Sequence, residues 1–239
     1  MKNIKIKSKD KIDIAINHYE KGRGNVVIIA PGWCMTKDSA AFRQIAEFFA
    51  QCFDVISFDF RGHGKSGGMY TFTATEIMDM DAVVRFARKK QYKKIYLIGF
   101  SLGAAISIIY ASKSILVDKV IAVSAPTDFE LIENKMWKKE AWAETFKKFE
   151  ANRFLSIRPY LIPMKKIKPI DIIEKIKVPT LFIAGEKDPT VCSWHTKKLY
   201  DKALCTKKYK SYENGCHAED LFLHFPEDFS KLCLDWFKD

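Results

Sequence analysis

Residues 95–105, IYLIGFSLGAA, join an apolar run to a Gly-x-Ser-x-Gly turn and then to a run of small residues. The apolar run predicts a buried β-strand and the small residues predict a helix, so Ser101 lies at the corner between them. A serine on such a tight turn has strained backbone angles, and it needs glycine on both sides, here Gly99 and Gly103, to avoid clashes. The first N–H groups of the helix, including that of Leu102, would point at whatever Ser101 attacks. The stretch therefore predicts a nucleophile, the alternative being an ordinary strand-to-helix turn that happens to contain serine.

On both sides of this corner, short apolar runs alternate with segments of helical periodicity. We predict strands at residues 2–7, 11–17, 26–30, 53–58, 94–98, 119–124, 178–184 and 208–212. We predict helices at residues 39–50, 75–89, 101–111, 193–203 and 227–238. The first two strands read as an opening hairpin, and continuous apolar strands are typical of a sheet covered on both faces. The alternation predicts an α/β fold, with a doubly wound, mostly parallel sheet of about eight strands.

One segment, residues 128–177, is too long for a single crossover helix. A chain of 239 residues with 48% hydrophobic residues can bury one full core, so we predict one domain over residues 1–239 with an insertion at 128–177. The insertion follows the sixth strand, and we interpret it as a helical lid. Its aromatic side chains recur at helical spacing and are predicted to bind substrate, the alternative being that they pack on the edge of the sheet. They are Trp137, Trp142, Phe146 and Phe149.

The formal net charge of +11 raises the question of an anionic partner such as nucleic acid. The lysines are spread over nearly every segment rather than collected into one stripe with interleaved aromatic residues, and no nucleic-acid-binding signature occurs. We therefore interpret the basic residues as a solvated surface and expect a small-molecule substrate, with no nucleic-acid partner. The sequence says nothing of oligomeric state.

The cysteines and the apolar runs bear on the cellular compartment and on cofactors. The six cysteines form no Cys-x-x-Cys pair and have no histidine at a zinc-type spacing, which favours reduced thiols and argues against a structural metal. We expect no cofactor. No apolar run approaches the roughly 20 residues of a membrane span, and the first residues lack the apolar core of a signal peptide. We expect a soluble, cytoplasmic protein.

A serine nucleophile needs a general base, and the chain has five histidines. His217 lies in a loop directly after the last predicted strand, at the carboxyl end of the sheet, where the corner at Ser101 also lies. Catalytic groups gather at this end of parallel sheets. His217 is therefore the predicted base, and His224 is the reserve candidate.

The base needs a carboxylate that holds its tautomer and stabilises the imidazolium. Asp188 follows the predicted strand 178–184 and leaves the sheet at the carboxyl end, whereas Asp128 follows the strand 119–124 and is the alternative. Each aspartate alone would more often form a turn or cap a helix. The order Ser101, Asp188, His217 is the order of nucleophile, acid and base in one class of hydrolases.

Five motifs carry a resemblance to a known family. They are APGW at 30–33, DFRGHGKS at 59–66, GFSLG at 99–103, AGEKD at 184–188 and GCH at 215–217. In this order they resemble those of the serine α/β-hydrolases over nearly the whole chain, and most closely the small esterases similar to monoacylglycerol lipase and cinnamoyl esterase.

The resemblance implies two backbone donors for an oxyanion hole, the N–H groups of Trp33 and Leu102. Members of the family usually carry His-Gly where this chain has Pro31 and Gly32, a change that keeps the backbone donor. The resemblance also implies that the turn at residues 59–66 packs beside the nucleophile, so His63 and Arg61 are interpreted as structural.

The expected activity is hydrolysis of a carboxylic ester through an acyl-enzyme on Ser101. A thioesterase or a peptidase would use the same triad, and only substrate profiling separates them. A non-catalytic binding protein on this fold is a third hypothesis. Such proteins commonly lack a member of the triad, and this chain has all three.

Overall fold

The structure, a computed structural model, describes residues 1–132, 156–160 and 164–238. Its strands are β1 (Lys2–Lys7), β2 (Asp13–Tyr19), β3 (Asn25–Ala30), β4 (Asp54–Phe58), β5 (Lys94–Phe100), β6 (Lys119–Val123), β7 (Thr180–Gly185) and β8 (Lys207–Tyr212). Its helices are α1 (Ala40–Phe49), α2 (Ile77–Lys89), α3 (Leu102–Ala111), α4 (Ser193–Lys202), α5 (Asp220–His224) and α6 (Pro226–Lys238). Two short 3₁₀ turns, Pro169–Asp171 and Ile173–Lys175, precede β7.

The eight strands form one sheet in the order β1-β2-β4-β3-β5-β6-β7-β8. The pairs β1–β2 and β2–β4 are antiparallel, and all the other neighbours are parallel. The predicted doubly wound, mostly parallel sheet with an opening hairpin is therefore confirmed. Strand β5, which leads to Ser101, lies in the middle of the parallel part between β3 and β6.

Helices cover both faces of the sheet, and β5 shows how the sequence meets this requirement. Ile95 and Leu97 pack in the core on the side of α2 and α3, whereas Tyr96 and Ile98 pack in the core on the side of α1 and α6. Alternate residues of a strand point to opposite faces, so a strand covered on both faces needs an unbroken apolar run. Each fully buried side chain of this size contributes about 1.5–3 kcal/mol through burial.

Most element boundaries differ from the sequence prediction by one or two residues, and one helix was missed. Strand β2 begins at Asp13 instead of residue 11, because Lys11 has a φ of 65° and belongs to the hairpin turn. Strand β5 continues to Phe100, which pairs with Val123 of β6. Helix α5 was not predicted, since five residues are too few to show a helical period.

The predicted lid falls largely outside the described residues. Residues 133–155 and 161–163 are not described, and they include all four aromatic residues assigned to substrate binding, Trp137, Trp142, Phe146 and Phe149. The lid at 128–177, and with it the division of the chain into one domain with an insertion, stays a prediction. Among the described residues, no helix has the length and apolar character needed to cross a membrane.

Candidate active site

Ser101 stands at the end of β5 with backbone angles that serine rarely adopts. Its φ is 51° and its ψ is −113°, and the helix α3 begins at the next residue. A side chain at positive φ is crowded by its own backbone, and such strain, of about 1–3 kcal/mol, persists only where the surroundings enforce it. The Ser101 N–H donates to the carbonyl of Val123 at 2.8 Å, which continues the pairing of β5 with β6 into the corner.

The two glycines of the motif are required by close backbone contacts. A Cβ atom on Gly99 would lie 2.4 Å from the carbonyl oxygen of Gly103. A Cβ atom on Gly103 would lie 2.1 Å from the carbonyl oxygen of Ala30, at the end of β3. Helix α3 can therefore approach the strands only because both positions lack a side chain, which is the reason for the glycines predicted from the motif.

The loop after β3 passes directly beside the serine. A Cβ atom on Gly32 would lie 3.4 Å from the Cβ of Ser101, and Trp33 is the next residue. On the other side of Ser101, Leu102 is the first residue of α3, where N–H groups have no acceptor within the helix. Trp33 and Leu102 thus flank the serine, as the oxyanion-hole prediction requires, and their role in catalysis stays a prediction.

His217 and Asp188 form a hydrogen-bonded pair. The Nδ1 of His217 lies 2.7 Å from Oδ2 of Asp188, whose side chain is fully buried, while 19% of the His217 side chain is exposed. The other oxygen of Asp188 accepts the backbone N–H groups of Thr190 at 2.9 Å and Val191 at 2.8 Å. A carboxylate can only accept in this contact, so the proton of the neutral imidazole is held on Nδ1, and Nε2 keeps a lone pair that can take a proton.

Three contacts bring the loops of the pair toward the serine. The N–H of Lys187 donates to the carbonyl of Gly215 at 2.9 Å, which joins the loop after β7 to the loop after β8. The N–H of Ala218 donates to Oγ of Ser124 at 3.0 Å. Ser124 directly follows Val123, the residue that accepts the N–H of Ser101. The end of β6 therefore anchors both the serine corner and the histidine loop.

The alternative acid, Asp128, has other partners. One of its carboxylate oxygens lies 2.6 Å from Nζ of Lys168, and the other accepts the backbone N–H of Glu130 at 2.9 Å. His224, the reserve base, is the last residue of the short helix α5. Of the predicted site residues, the structure joins Asp188 to His217 and leaves Asp128 in a separate ion pair with Lys168.

Several contacts around the site were not predicted from the sequence. Ser124 carries no signal that separates it from any serine at the end of a strand, and its role as an anchor depends on the path of the His217 loop. Arg61, interpreted as structural, is buried in ion pairs with Asp79 and Asp10, each at 2.7 Å. Within the described part of the chain, no group of three or more histidine, cysteine or acidic side chains could hold a metal ion.

Comparison with known proteins places the chain in a family. The model of the family described as the alpha/beta hydrolase fold matches residues 25–157, and the chain therefore belongs to that family. This confirms the resemblance seen in the motifs, and the protein is a hydrolytic enzyme of the α/β-hydrolase type.

Individual relatives match most of the chain. The human serine hydrolase BPHL is 25% identical over 249 aligned positions, which cover 93% of this chain and 84% of that protein. The uncharacterized protein YqkD of Bacillus subtilis is 25% identical and covers 81% of this chain and 65% of that protein. The solved esterase Pf2001 of Pyrococcus furiosus shares the fold with a TM-score of 0.80 and 24% identity, covering 99% of this chain and 91% of that one.

Proposed function

We propose that this protein is a serine esterase that cleaves a carboxylic ester through an acyl-enzyme, with Ser101 as nucleophile, His217 as general base and Asp188 as the orienting acid. The observation that carries the proposal is the Asp188–His217 hydrogen bond of 2.7 Å at the same edge of the sheet as the strained Ser101. A nucleophile, a base and an acid in these chain positions are the parts that acyl transfer by serine requires.

Each group has a defined task in the proposed reaction. Nε2 of His217 takes the proton of Ser101 as Oγ attacks the ester carbonyl, and His217 then returns that proton to the leaving alcohol. Water repeats the sequence on the acyl-enzyme and regenerates Ser101. Asp188 keeps the proton on Nδ1 and stabilises the imidazolium. The N–H groups of Trp33 and Leu102 stabilise the oxyanion, where one such donor is worth about 3–4 kcal/mol.

The proposed substrate is a small ester rather than a thioester or a peptide. Two solved structures that share the fold are esterases, Pf2001 of Pyrococcus furiosus and an enzyme from Exiguobacterium antarcticum, the latter with a TM-score of 0.74 and 17% identity. The expected location is the cytoplasm, since the six cysteines are scattered along the sequence without a Cys-x-x-Cys pair, which favours reduced thiols.

The test combines a substrate panel with labelling of the nucleophile. The purified protein is assayed on p-nitrophenyl esters from acetate to long acyl chains, on matched thioesters and on peptide p-nitroanilides. A fluorophosphonate probe is applied in parallel, and the labelled residue is located by mass spectrometry. We expect ester turnover to exceed the other two and the label to reside on Ser101. A label on another residue, or no turnover of any acyl substrate, would reject the proposal.

The proposal includes the lid interpretation of residues 128–177, which rests on the sequence alone. If Trp137 and Trp142 contact the acyl chain, Trp137→Ala or Trp142→Ala should raise KM for long or aromatic acyl esters by roughly tenfold, the value of burying one such side chain. Hydrolysis of acetate esters should be spared, because acetate is too short to reach the lid. Equal losses on acetate and long-chain esters together with a lower melting temperature would indicate a packing role instead.

A further inference from the structure

Two side chains of the turn at residues 59–66 accept backbone N–H groups from the loop that follows β3. The N–H of Cys34 lies 3.3 Å from Nε2 of His63, and the N–H of Lys37 lies 2.7 Å from Oδ1 of Asp59. We propose that His63, supported by Asp59, is a positioning residue that sets the conformation of this loop and with it the position of the Trp33 N–H, which lies one peptide before the N–H that His63 accepts. The inference rests on the proposed function and deepens it, because Trp33 is one of the two proposed oxyanion donors.

The loop begins with a strained turn. The N–H of Met35 donates to the carbonyl of Gly32 at 3.2 Å, which closes a four-residue turn, and its third residue, Cys34, has a φ of 60°. Turns with positive φ at the third position favour glycine or asparagine, since other side chains crowd the backbone there. If Cys34 relaxed to negative φ, the peptide between Trp33 and Cys34 would rotate and its N–H would turn away from His63. The hydrogen bond to His63 therefore opposes the strain of the turn.

His63 is held in the tautomer that this contact needs. Its Nδ1 lies 3.1 Å from the carbonyl oxygen of Arg61, which can only accept, so Nδ1 carries the proton and Nε2 accepts from Cys34. Burial lowers the pKa of His63 to about 4, which keeps the ring neutral at pH 7. The ring of Tyr70 meets the imidazole edge to face with centroids 4.9 Å apart, and the buried Arg61–Asp79 ion pair fixes the residue that supplies the carbonyl.

Asp59 fixes the other end of the loop to the same turn. It is fully buried, and while Oδ1 accepts the N–H of Lys37, Oδ2 accepts the N–H of Lys65 at 2.9 Å. The carboxylate thus links residue 37 of the loop to residue 65 of the turn. Asp59 and His63 thus hold two points of the loop, Lys37 and Cys34, to the same turn, and the contact of His63 is the one next to Trp33.

A small displacement of the Trp33 N–H would lower the rate of the proposed reaction strongly. A displacement of about 1 Å in a catalytic group can reduce the rate about 100-fold, and loss of one oxyanion donor reduces it about 10²–10³-fold. The oxyanion forms only during reaction, so the loss should fall on kcat and leave KM nearly unchanged. A residue that merely stabilises the fold would lower kcat only in step with the fraction of folded protein, which a melting curve measures.

The test uses three substitutions of one side chain. His63→Asn keeps a donor near the Arg61 carbonyl and is too short to reach Cys34, whereas His63→Gln places its amide oxygen where Nε2 lies. With p-nitrophenyl acetate, we expect His63→Ala and His63→Asn to lower kcat by roughly 10–100-fold with KM within twofold of wild type. We expect His63→Gln to recover most of the loss. If kcat in the three variants instead follows their melting temperatures, or if Asn and Gln behave alike, the inference is overturned.

A second measurement addresses the strain directly and does not depend on the Ala variant folding well. Cys34→Gly relieves the positive φ, so His63→Asn should reduce kcat less in the Cys34→Gly background than in the wild-type background. Equal reductions in both backgrounds would overturn the inference. The Ser101→Ala variant separates the two claims: ester turnover that survives this substitution rejects the proposed function, whereas its loss together with full activity of His63→Asn rejects the positioning role alone.

Discussion

Two histidine networks of similar design lie at opposite edges of the sheet. At the carboxyl edge, Oδ2 of Asp188 contacts His217, and Oδ1 accepts two N–H groups from its own loop. At the amino edge, Oδ2 of Asp54 accepts the hydroxyl of Tyr92 at 2.8 Å, and that hydroxyl lies 2.7 Å from Nε2 of His18. The remaining oxygen of Asp54 accepts backbone N–H groups of Lys21 at 2.9 Å and Arg23 at 3.1 Å.

The difference between the networks lies in access to solvent and in position. His18 is fully buried, and burial lowers its pKa, whereas His217 exposes 19% of its side chain. Within residues 1–132, 156–160 and 164–238, the serines with positive φ are Ser101 and Ser124, which follow β5 and β6 at the carboxyl edge. The end of β6 joins Ser101 to the loop of His217. A carboxylate linked to a histidine, here through the hydroxyl of Tyr92, therefore also occurs away from the candidate site. It serves catalysis only where the ring is accessible and a nucleophile is held next to it.

The largest expected effect comes from a substitution at the carboxyl edge that leaves the amino-edge network unchanged. Ser101→Ala should lower turnover of the best ester substrate by at least about 10⁴-fold, because the nucleophile is removed while binding is kept. Alanine is about as strained as serine at the positive φ of this position, so the fold should be retained. Circular dichroism and a melting curve will check this. Ester hydrolysis at the wild-type rate would exclude Ser101 as the nucleophile.

The next effect compares the acids. Asp188→Asn should lower kcat by about 10³–10⁴-fold, since asparagine lets the imidazole adopt the wrong tautomer. Asp54→Asn, which disturbs the corresponding position at the amino edge, and Asp128→Asn should change kcat by no more than a few-fold. Kinetics of the three variants on one ester decide the matter, and a large loss in Asp128→Asn with an active Asp188→Asn would move the acid to Asp128.

A substitution in the amino-edge network should have a smaller effect, on the stability of the fold and not on catalysis. Tyr92→Phe removes the hydroxyl that lies between Nε2 of His18 and Oδ2 of Asp54, and both atoms lose this hydrogen-bond partner. The substitution should lower the free energy of unfolding by about 1–3 kcal/mol. Urea unfolding measures this, with Tyr160→Phe at a more exposed tyrosine as the control. Ester kcat at 25 °C should stay within twofold of wild type. A large fall in kcat would show that the two edges of the sheet are coupled.

The smallest effect concerns His63, which is buried like His18 and lies near the carboxyl-edge site. Its pKa is about 4 in the folded protein against 6.5 for an ordinary histidine. As pH falls from 7 to 5, the unfolded chain binds a proton here and the folded protein does not, so the stability present above pH 6.5 decreases by about 2 kcal/mol at pH 5. Urea unfolding at both pH values should show this extra loss in wild type relative to His63→Gln. Equal losses of stability in the two proteins would show that His63 of the folded protein also binds a proton between pH 7 and pH 5.

The sequence by itself determined the strands, the serine corner and the order of the site residues. Unbroken apolar runs are required of strands covered on both faces, and β5 follows that rule at every position from Ile95 to Phe100. Gly99 is required by a backbone contact within the strand-to-helix turn, and Gly103 by the close approach of α3 to Ala30, but the short Gly-x-Ser-x-Gly motif marks both in the sequence. These features are local, so they can be recognised in a single sequence.

Only the tertiary structure decided which groups meet. Asp128 and Asp188 both follow parallel strands at the same edge, and no local pattern separates them. The path of each loop places Asp188 against His217 and Asp128 against Lys168. In the same way, the contact of His63 with Cys34 joins residues 29 positions apart. Such contacts depend on the packing of separate loops. They cannot be predicted from the sequence because a hydrogen-bonding group can pair with many others, and only the folded backbone decides which of them lies within reach.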